Sequence, residues 1–152
     1  MGIKKMGLVV YKDACKRRLL KKYLNSTDPE KAKVARYVKE NGLEIIPYDF
    51  CKKYDFHNIK VYRDTDGYPF VIHNGKKMYG RKDDSDNFFA YYYSYTLMEQ
   101  DLESPHCYVT DNSRIPHDGC IIAELGAAEG MFGLDYIEKA KKVYLFECSE
   151  KW

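Results

Sequence analysis

Apolar residues at helical spacing open the chain. From about Leu8 to Leu24, Ala14 or Cys15, Leu19, Leu20, Tyr23 and Leu24 recur on one face and predict a helix. Lys16-Arg17-Arg18 and Lys21-Lys22 form its basic side, better read as a solvated face than as a surface for an anionic partner. Thr27-Asp28-Pro29-Glu30 signals a second helix, with Thr27 or Asp28 as cap and Pro29 in the first turn. Val34, Tyr37 and Val38 supply its stripe, Asn41-Gly42 its end, and Leu43 to Ile46 a short extended piece before Pro47.

The period then shortens. Ile59 to Tyr62, Tyr68 to Ile72 and Lys77 to Tyr79, separated by Asp64-Thr65-Asp66-Gly67 and Asn74-Gly75, predict an antiparallel meander. Pro69 implies that the second run lies at an edge or pairs only in its later part. After a polar loop, with Ser85 or Asp86 as cap, helical spacing returns from Phe88 to Leu102. Its stripe is Phe88, Phe89, Tyr92, Tyr95 and Met98 or Glu99, and Pro105 ends it. Thr110 to Gly119 forms the approach to a glycine motif.

The last segment changes character again. Cys120 to Leu125 is a nearly continuous apolar run, broken only by Glu124, and Gly126-Ala127-Ala128-Glu129-Gly130 is a glycine turn leading into Met131-Phe132-Gly133-Leu134. A second apolar run, Val143 to Phe146, ends in Glu147. Strand, glycine turn, helix and strand make the first unit of a nucleotide-binding α/β fold, whose second strand carries an acid for ribose hydroxyls roughly 20 residues after the turn. Gly126 lets the backbone leave the strand tightly, and Gly130 lets a ligand approach without meeting a Cβ. Glu124 stands where dinucleotide enzymes have the first glycine of G-x-G-x-x-G. A carboxylate there repels a pyrophosphate and suits an ammonium or a sulfonium, so the cofactor that fits is S-adenosylmethionine.

Asp118-Gly119-Cys120 through Glu147 resembles the cofactor-binding start of the FkbM-family methyltransferases, whose first motif reads acid-x-Gly-Ala-x-x-Gly. Glu99-Gln100-Asp101 and Ser104-Pro105-His106 resemble the stretch that precedes that domain, with weaker similarity through Tyr48-Asp49-Phe50 and His73-Asn74-Gly75-Lys76. Glu124, Cys107 and Cys148 depart from the pattern, where an aspartate, a basic residue and a proline are more usual. The resemblance implies an α/β chain: residues 104–152 as the start of a Rossmann-like class I methyltransferase domain, after an α+β accessory region at 1–103. It implies that the domain is cut short at Trp152, so that the chain by itself is expected to bind the cofactor weakly or not at all and to be inactive.

The same resemblance, with the fold, sets the expected roles. Glu124 lies near the methionine ammonium, the amides of Gly126, Ala127, Ala128, Glu129 and Gly130 face the methionyl carboxylate, and Glu147 holds the ribose. His106 either helps to close the pocket or merely packs or caps. No catalytic residue is named. The implied substrate is a small molecule, O-methylated on a hydroxyl of a sugar or secondary metabolite. The alternative is a non-catalytic module that uses its aromatic helix and exposed sheet for a protein partner.

Composition bounds these readings. A content of 45% hydrophobic and 32% charged residues is that of a soluble globular protein, and a net charge of +2 is too mild to argue for nucleic acid. No apolar run nears the roughly 20 residues of a membrane span, and residues 7–11 are too few for a signal-peptide core, which gives a cytoplasmic expectation. The five cysteines include no C-x-x-C pair, and Cys107, His117 and Cys120 match no zinc spacing, so no metal is expected. Asp83, Asp84 and Asp86 lack the later ligands of a calcium loop. Fifteen tyrosines point to half-buried packing, with a sugar-stacking face as the lesser reading. The unpaired edge of the last strands raises self-association or a complementing polypeptide.

Overall fold

A computed structural model of the protein describes residues 3–110, 115–150 and 152, with side chains from Tyr11 onward. Residues 111–114, within the approach to the glycine turn, lie outside the described residues. The chain divides into two compact units, residues 1–53 and 54–152. Among the described residues no helix is long and apolar enough to cross a membrane.

The first unit is helical. Helix α1 runs Ile3–Tyr23, starting five residues before the apolar period does, and Cys15 rather than Ala14 joins Leu19, Leu20 and Tyr23 on its half-buried side. Helix α2, Pro29–Asn41, starts where the capping signal places it, with the Asp28 carboxylate accepting the N–H groups of Glu30 and Lys31 at 3.1 and 3.2 Å. Its buried positions are Ala32, Ala35 and Val38, while Val34 and Tyr37 are half-buried. Small side chains take the innermost line because α2 packs against α1, and a close helix–helix approach favours alanine over bulk. Leu43 to Ile46 forms no strand; Ile46 is buried, Ile45 points to solvent, and a 3₁₀ turn follows at Asp49–Lys53.

The second unit is mixed α/β. Strands β1 (Tyr62–Arg63), β2 (Pro69–His73) and β3 (Lys76–Tyr79) form an antiparallel sheet in that order, and helix α3 spans Asp86–Glu99. Asn74 and Gly75 have φ of 50° and 78°, the left-handed pair that a two-residue hairpin turn needs. Pro69 does not mark an edge: β2 is the central strand, and the proline is its first residue, opposite Arg63. The missing N–H costs nothing at that end, and the Pro69 carbonyl still accepts the Gly80 N–H at 2.8 Å.

Ser85 caps α3 through the Phe88 N–H at 3.3 Å. The helix turns Phe89, Ala90, Tyr93, Ser94 and Thr96 inward and leaves Phe88 and Tyr91 about half exposed, so the buried line is rotated from the predicted stripe. It ends at Glu99, well before Pro105. The core, Val71, Met78, Phe89, Tyr93 and Met131, takes residues from β2, β3, α3 and the start of helix α4 (Met131–Tyr136).

Strands β4 (Ile121–Leu125) and β5 (Lys142–Phe146) pair in parallel around α4, Ile121 opposite Lys142 and Leu125 opposite Phe146. One face, with Val143 and Leu145, lies under α4. The other carries Ile121, Leu125, Tyr144 and Phe146, which are 65%, 79%, 41% and 53% exposed. Strands of a parallel sheet are normally covered on both faces, as the apolar runs predicted. Here only one face is packed against α4 by the described residues; Leu145 lies on that side, with its Cδ1 beside Gly130, yet stays 55% exposed.

Candidate functional site

The glycine turn is tied to the end of β5. The N–H groups of Gly126 and Ala127 donate to the Phe146 carbonyl at 2.7 and 3.1 Å, and Gly130 N–H donates to the Ala127 carbonyl. Gly126, Ala128 and Gly130 all have left-handed φ, of 70°, 44° and 68°. A Cβ at Gly126 would meet open space, so only its backbone conformation requires glycine. At Gly130 the nearest neighbour of such a Cβ is Leu145 Cδ1 at 3.1 Å, which makes this glycine a packing position against β5. Ala128 holds its left-handed conformation despite a Cβ, because its N–H is fixed by Glu147.

Glu147 therefore has structural work already. Its Oε2 accepts the Ala128 N–H at 2.9 Å and its Oε1 the Ser149 N–H at 2.7 Å. The Ser149 amide first, and the Ala128 amide next, hold this exposed carboxyl below its ordinary value. Each oxygen keeps a further acceptor position, so two hydroxyls can still be held.

Glu124, at the end of β4, turns to the start of α4, where its Oε2 accepts the Gly133 N–H at 2.9 Å. Burial pushes its carboxyl above the ordinary value; the Gly133 amide opposes this and the nearby Glu129 adds to it. Glu129 accepts the Tyr92 hydroxyl at 2.7 Å. Burial, and then that bond, push the tyrosine well above its usual range.

Glu124 and residues 126–129 open onto a pocket of about 390 Å³, completed by α3, α4 and the segment after α3. Its rings are Tyr92, Tyr108, Phe132 and Tyr136; its carboxylates are Glu99, Glu124, Glu129 and Asp135. Among the described residues that line it there is no lysine, arginine or histidine. Glu99, Glu124 and Glu129, with no cation among the described lining residues, make a field that suits a positive ligand, and the ring faces add to it. A second hollow of about 450 Å³ lies on the other side of Gly126, between Leu145, Phe146, Glu147 and Cys148.

No family model matches the chain, and no curated protein or solved structure matches it. The site therefore rests on its own geometry.

Of the residues singled out in the sequence, Glu124, Gly126, Ala127, Ala128 and Glu129 come together at the first pocket, and Glu147 lies at the second hollow. Gly130 lines neither, and His106 is exposed and outside both, its N–H donating to Ser104 Oγ at 3.1 Å. The amide cradle expected for a methionyl carboxylate differs too: the Gly126 and Ala127 amides donate to the Phe146 carbonyl, the Ala128 amide to Glu147 and the Gly130 amide to the Ala127 carbonyl. Asp83, Asp84 and Asp86 face different partners: Asp84 takes the Arg81 guanidinium at 2.7 Å and Asp86 pairs with Arg63. Among the described residues no cluster of three or more His, Cys, Asp or Glu could hold a metal ion.

Sequence reasoning missed Asp135. It lines the first pocket, accepts Asn74 Nδ2 at 2.8 Å, and lies 2.6 Å from Nε2 of the buried His73. His73 Nδ1 in turn is 2.8 Å from the Tyr93 hydroxyl. Burial would raise the Asp135 carboxyl, but the bonds to His73 and Asn74 outweigh it and hold it below the ordinary value. The only sequence signal was a histidine beside the hairpin turn, at a position whose strand period gives no hint of a partner 62 residues away.

Proposed function

We propose that the parallel β4–α4–β5 unit binds S-adenosylmethionine and that the protein belongs to methyl-transfer chemistry directed at a hydroxyl, on a sugar or secondary metabolite. The observation that carries this reading is the acidic pocket at the end of β4, with no lysine, arginine or histidine among its described lining residues, and Glu147 at the matching end of β5. When bound, the cofactor supplies a methyl carbon made electrophilic by a sulfonium. Glu124 and Glu129 supply negative charge for the ammonium and sulfonium, and Glu147 accepts ribose hydroxyls with the lone pairs its backbone bonds leave over. The donor set fits the cationic end of the cofactor better than its carboxylate, which must compete with Glu147 for the Ala128 amide. Binding is therefore weak. No turnover is expected of the 152-residue chain alone, because two strand ends wall only part of a cofactor and transfer depends on in-line positioning.

Calorimetric titration tests the reading. S-adenosylmethionine should bind more tightly than S-adenosylhomocysteine, its neutral thioether counterpart, and Glu147→Ala should abolish measurable binding of both. Absence of binding, equal affinity for the two, or indifference to Glu147→Ala each refutes it.

A second reading is favoured by the exposed sheet face of Ile121, Leu125, Tyr144 and Phe146. In it the protein is a non-catalytic module whose parallel strands are covered by another copy or a complementing polypeptide.

A further inference from the structure

The near-neutral charge of the chain hides a division. Residues 1–53, the helical unit, carry 14 lysines and arginines against 6 acids, a net +8, and the remaining residues carry 11 against 17, a net −6. The acids that balance the basic side of α1 over the whole chain thus belong mostly to the other unit. On α1 itself Arg17, Arg18 and Lys21 are exposed, and among the described residues no carboxylate pairs with them. A surface this cationic attracts an anionic one.

Charge alone does not name the partner; the other half of α1 does. The helix has 21 residues and α2, which packs against it, only 13, so at 1.5 Å per residue about 12 Å of α1 extends past α2. Lys16 Nζ reaches the Lys39 carbonyl, near the end of α2, at 3.4 Å, which puts the overhang on the N-terminal side. Tyr11 to Ala14, a full helical turn, are exposed, Tyr11 at 67%, so the described residues leave the helix uncovered there. Residues 3–11 hold six apolar residues (Ile3, Met6, Leu8, Val9, Val10 and Tyr11), two lysines and no acid. By helical period, positions 3, 6 and 10 fall on one side, 8 and 11 on a second and 9 on a third.

That arrangement selects among anionic partners. A protein groove takes a helix with one apolar stripe. Nucleic acid would match the cations and leave the apolar end in water. A helix end that is apolar all round needs an apolar medium around it, and this one, about 14 Å long, is too short to span a bilayer.

We infer that α1 is a membrane-surface anchor: its N-terminal half enters the headgroup region and upper acyl chains of one leaflet, and Arg17, Arg18 and Lys21 hold the phosphates of anionic lipids. The inference stands apart from the donor reading, since it uses no residue of the second unit.

Flotation of the 152-residue chain with vesicles tests it, because protein that merely self-associates does not float. Phosphatidylcholine vesicles with about 30% phosphatidylserine should carry the chain up the gradient, and pure phosphatidylcholine vesicles should not. The triple variant Arg17→Gln/Arg18→Gln/Lys21→Gln, at exposed positions, should keep the parent's thermal melt and lose roughly a hundredfold in vesicle affinity. Met6→Ser/Val10→Ser should also weaken vesicle binding but leave retention on heparin unchanged. No flotation, equal flotation with neutral vesicles, or parental affinity in a folded triple variant each overturns the inference. So does unchanged vesicle binding by Met6→Ser/Val10→Ser, which would leave a polyanion-binding face only. If the triple variant does not fold, salt takes its place: binding of the parent should fall steeply as ionic strength rises, and binding indifferent to salt overturns the inference.

Discussion

A methyl group on Gly133 would meet Glu124 Oε2 and Val143 Cγ1 at 3.0 Å and Leu145 Cδ2 at 3.1 Å. This glycine, outside the motif proper, is what lets α4 lie close on β4 and β5. Gly133→Ala should cost about 1–3 kcal/mol, read from the denaturant midpoint, because the neighbours are packed side chains and the acid that holds the helix start. Gly126→Ala meets no neighbour and should lose only about 1–2 kcal/mol, from its left-handed backbone. Equal tolerance of alanine at Gly133 and at an exposed helix position would contradict the packing. Glu124 presents the opposite case, a residue retained against stability. Its folded value is raised, so its contribution is fully present below the unfolded carboxyl value and lost as pH rises through the folded one. Glu124→Gln keeps an acceptor for the Gly133 N–H without the buried charge. Its Tm should equal or exceed the parent's at neutral pH, with the difference shrinking towards about pH 4. A Tm well below the parent's at neutral pH would refute this.

At the scale of elements, the second unit is fastened by a polar link as well as by its core. His73, at the end of β2, and Asn74, in the turn, both reach Asp135 on α4, and Tyr93 of α3 closes the group on the other side. Burial works against the Asp135 charge, yet its folded value is depressed by these partners, with Lys76 helping. The stability it contributes is therefore present above the unfolded aspartate value, about 3.9, and is lost as pH falls through the lower folded value. Asp135→Asn should be destabilised at neutral pH and show a flatter acid limb, its deficit vanishing below about pH 4. Parallel acid-denaturation curves for the variant and the parent would show that the link contributes nothing.

For the molecule as a whole, the two-stranded parallel sheet is the exposed liability. Each of β4 and β5 has one strand neighbour among the described residues, and their uncovered face is mainly apolar, with Lys142 at one end over the Tyr144 ring. Unpaired edges and apolar patches of this kind associate. The 152-residue chain should self-associate through this face, and light scattering should show a mass rising with concentration. Leu125→Lys with Phe146→Lys should return it to monomer. Leu145→Lys should instead lower the melting temperature modestly, because Leu145 touches Gly130 and Gly133 but is 55% exposed. A parent that stays monomeric at high micromolar concentration would sink this expectation.

The sequence by itself determined the features that short-range chemistry dictates. A helix start with Thr27 or Asp28 as cap before Pro29, the Asn74-Gly75 hairpin, a cap at Ser85 or Asp86 and the strand–turn–helix–strand order around Gly126 are written in local backbone preference, and the folded chain uses Asp28 and Ser85 as the caps. It also placed Glu124 and Glu147 at the ends of two strands that do pair in parallel. Tertiary structure decided the rest. Which line of α3 is buried, why Pro69 begins a central strand and which way Leu145 faces depend on neighbours distant in sequence. So does the pairing of His73 with Asp135, because a single polar residue in a strand carries no mark of its partner. The acidic pocket has the same origin: it gathers side chains from segments that no local period connects.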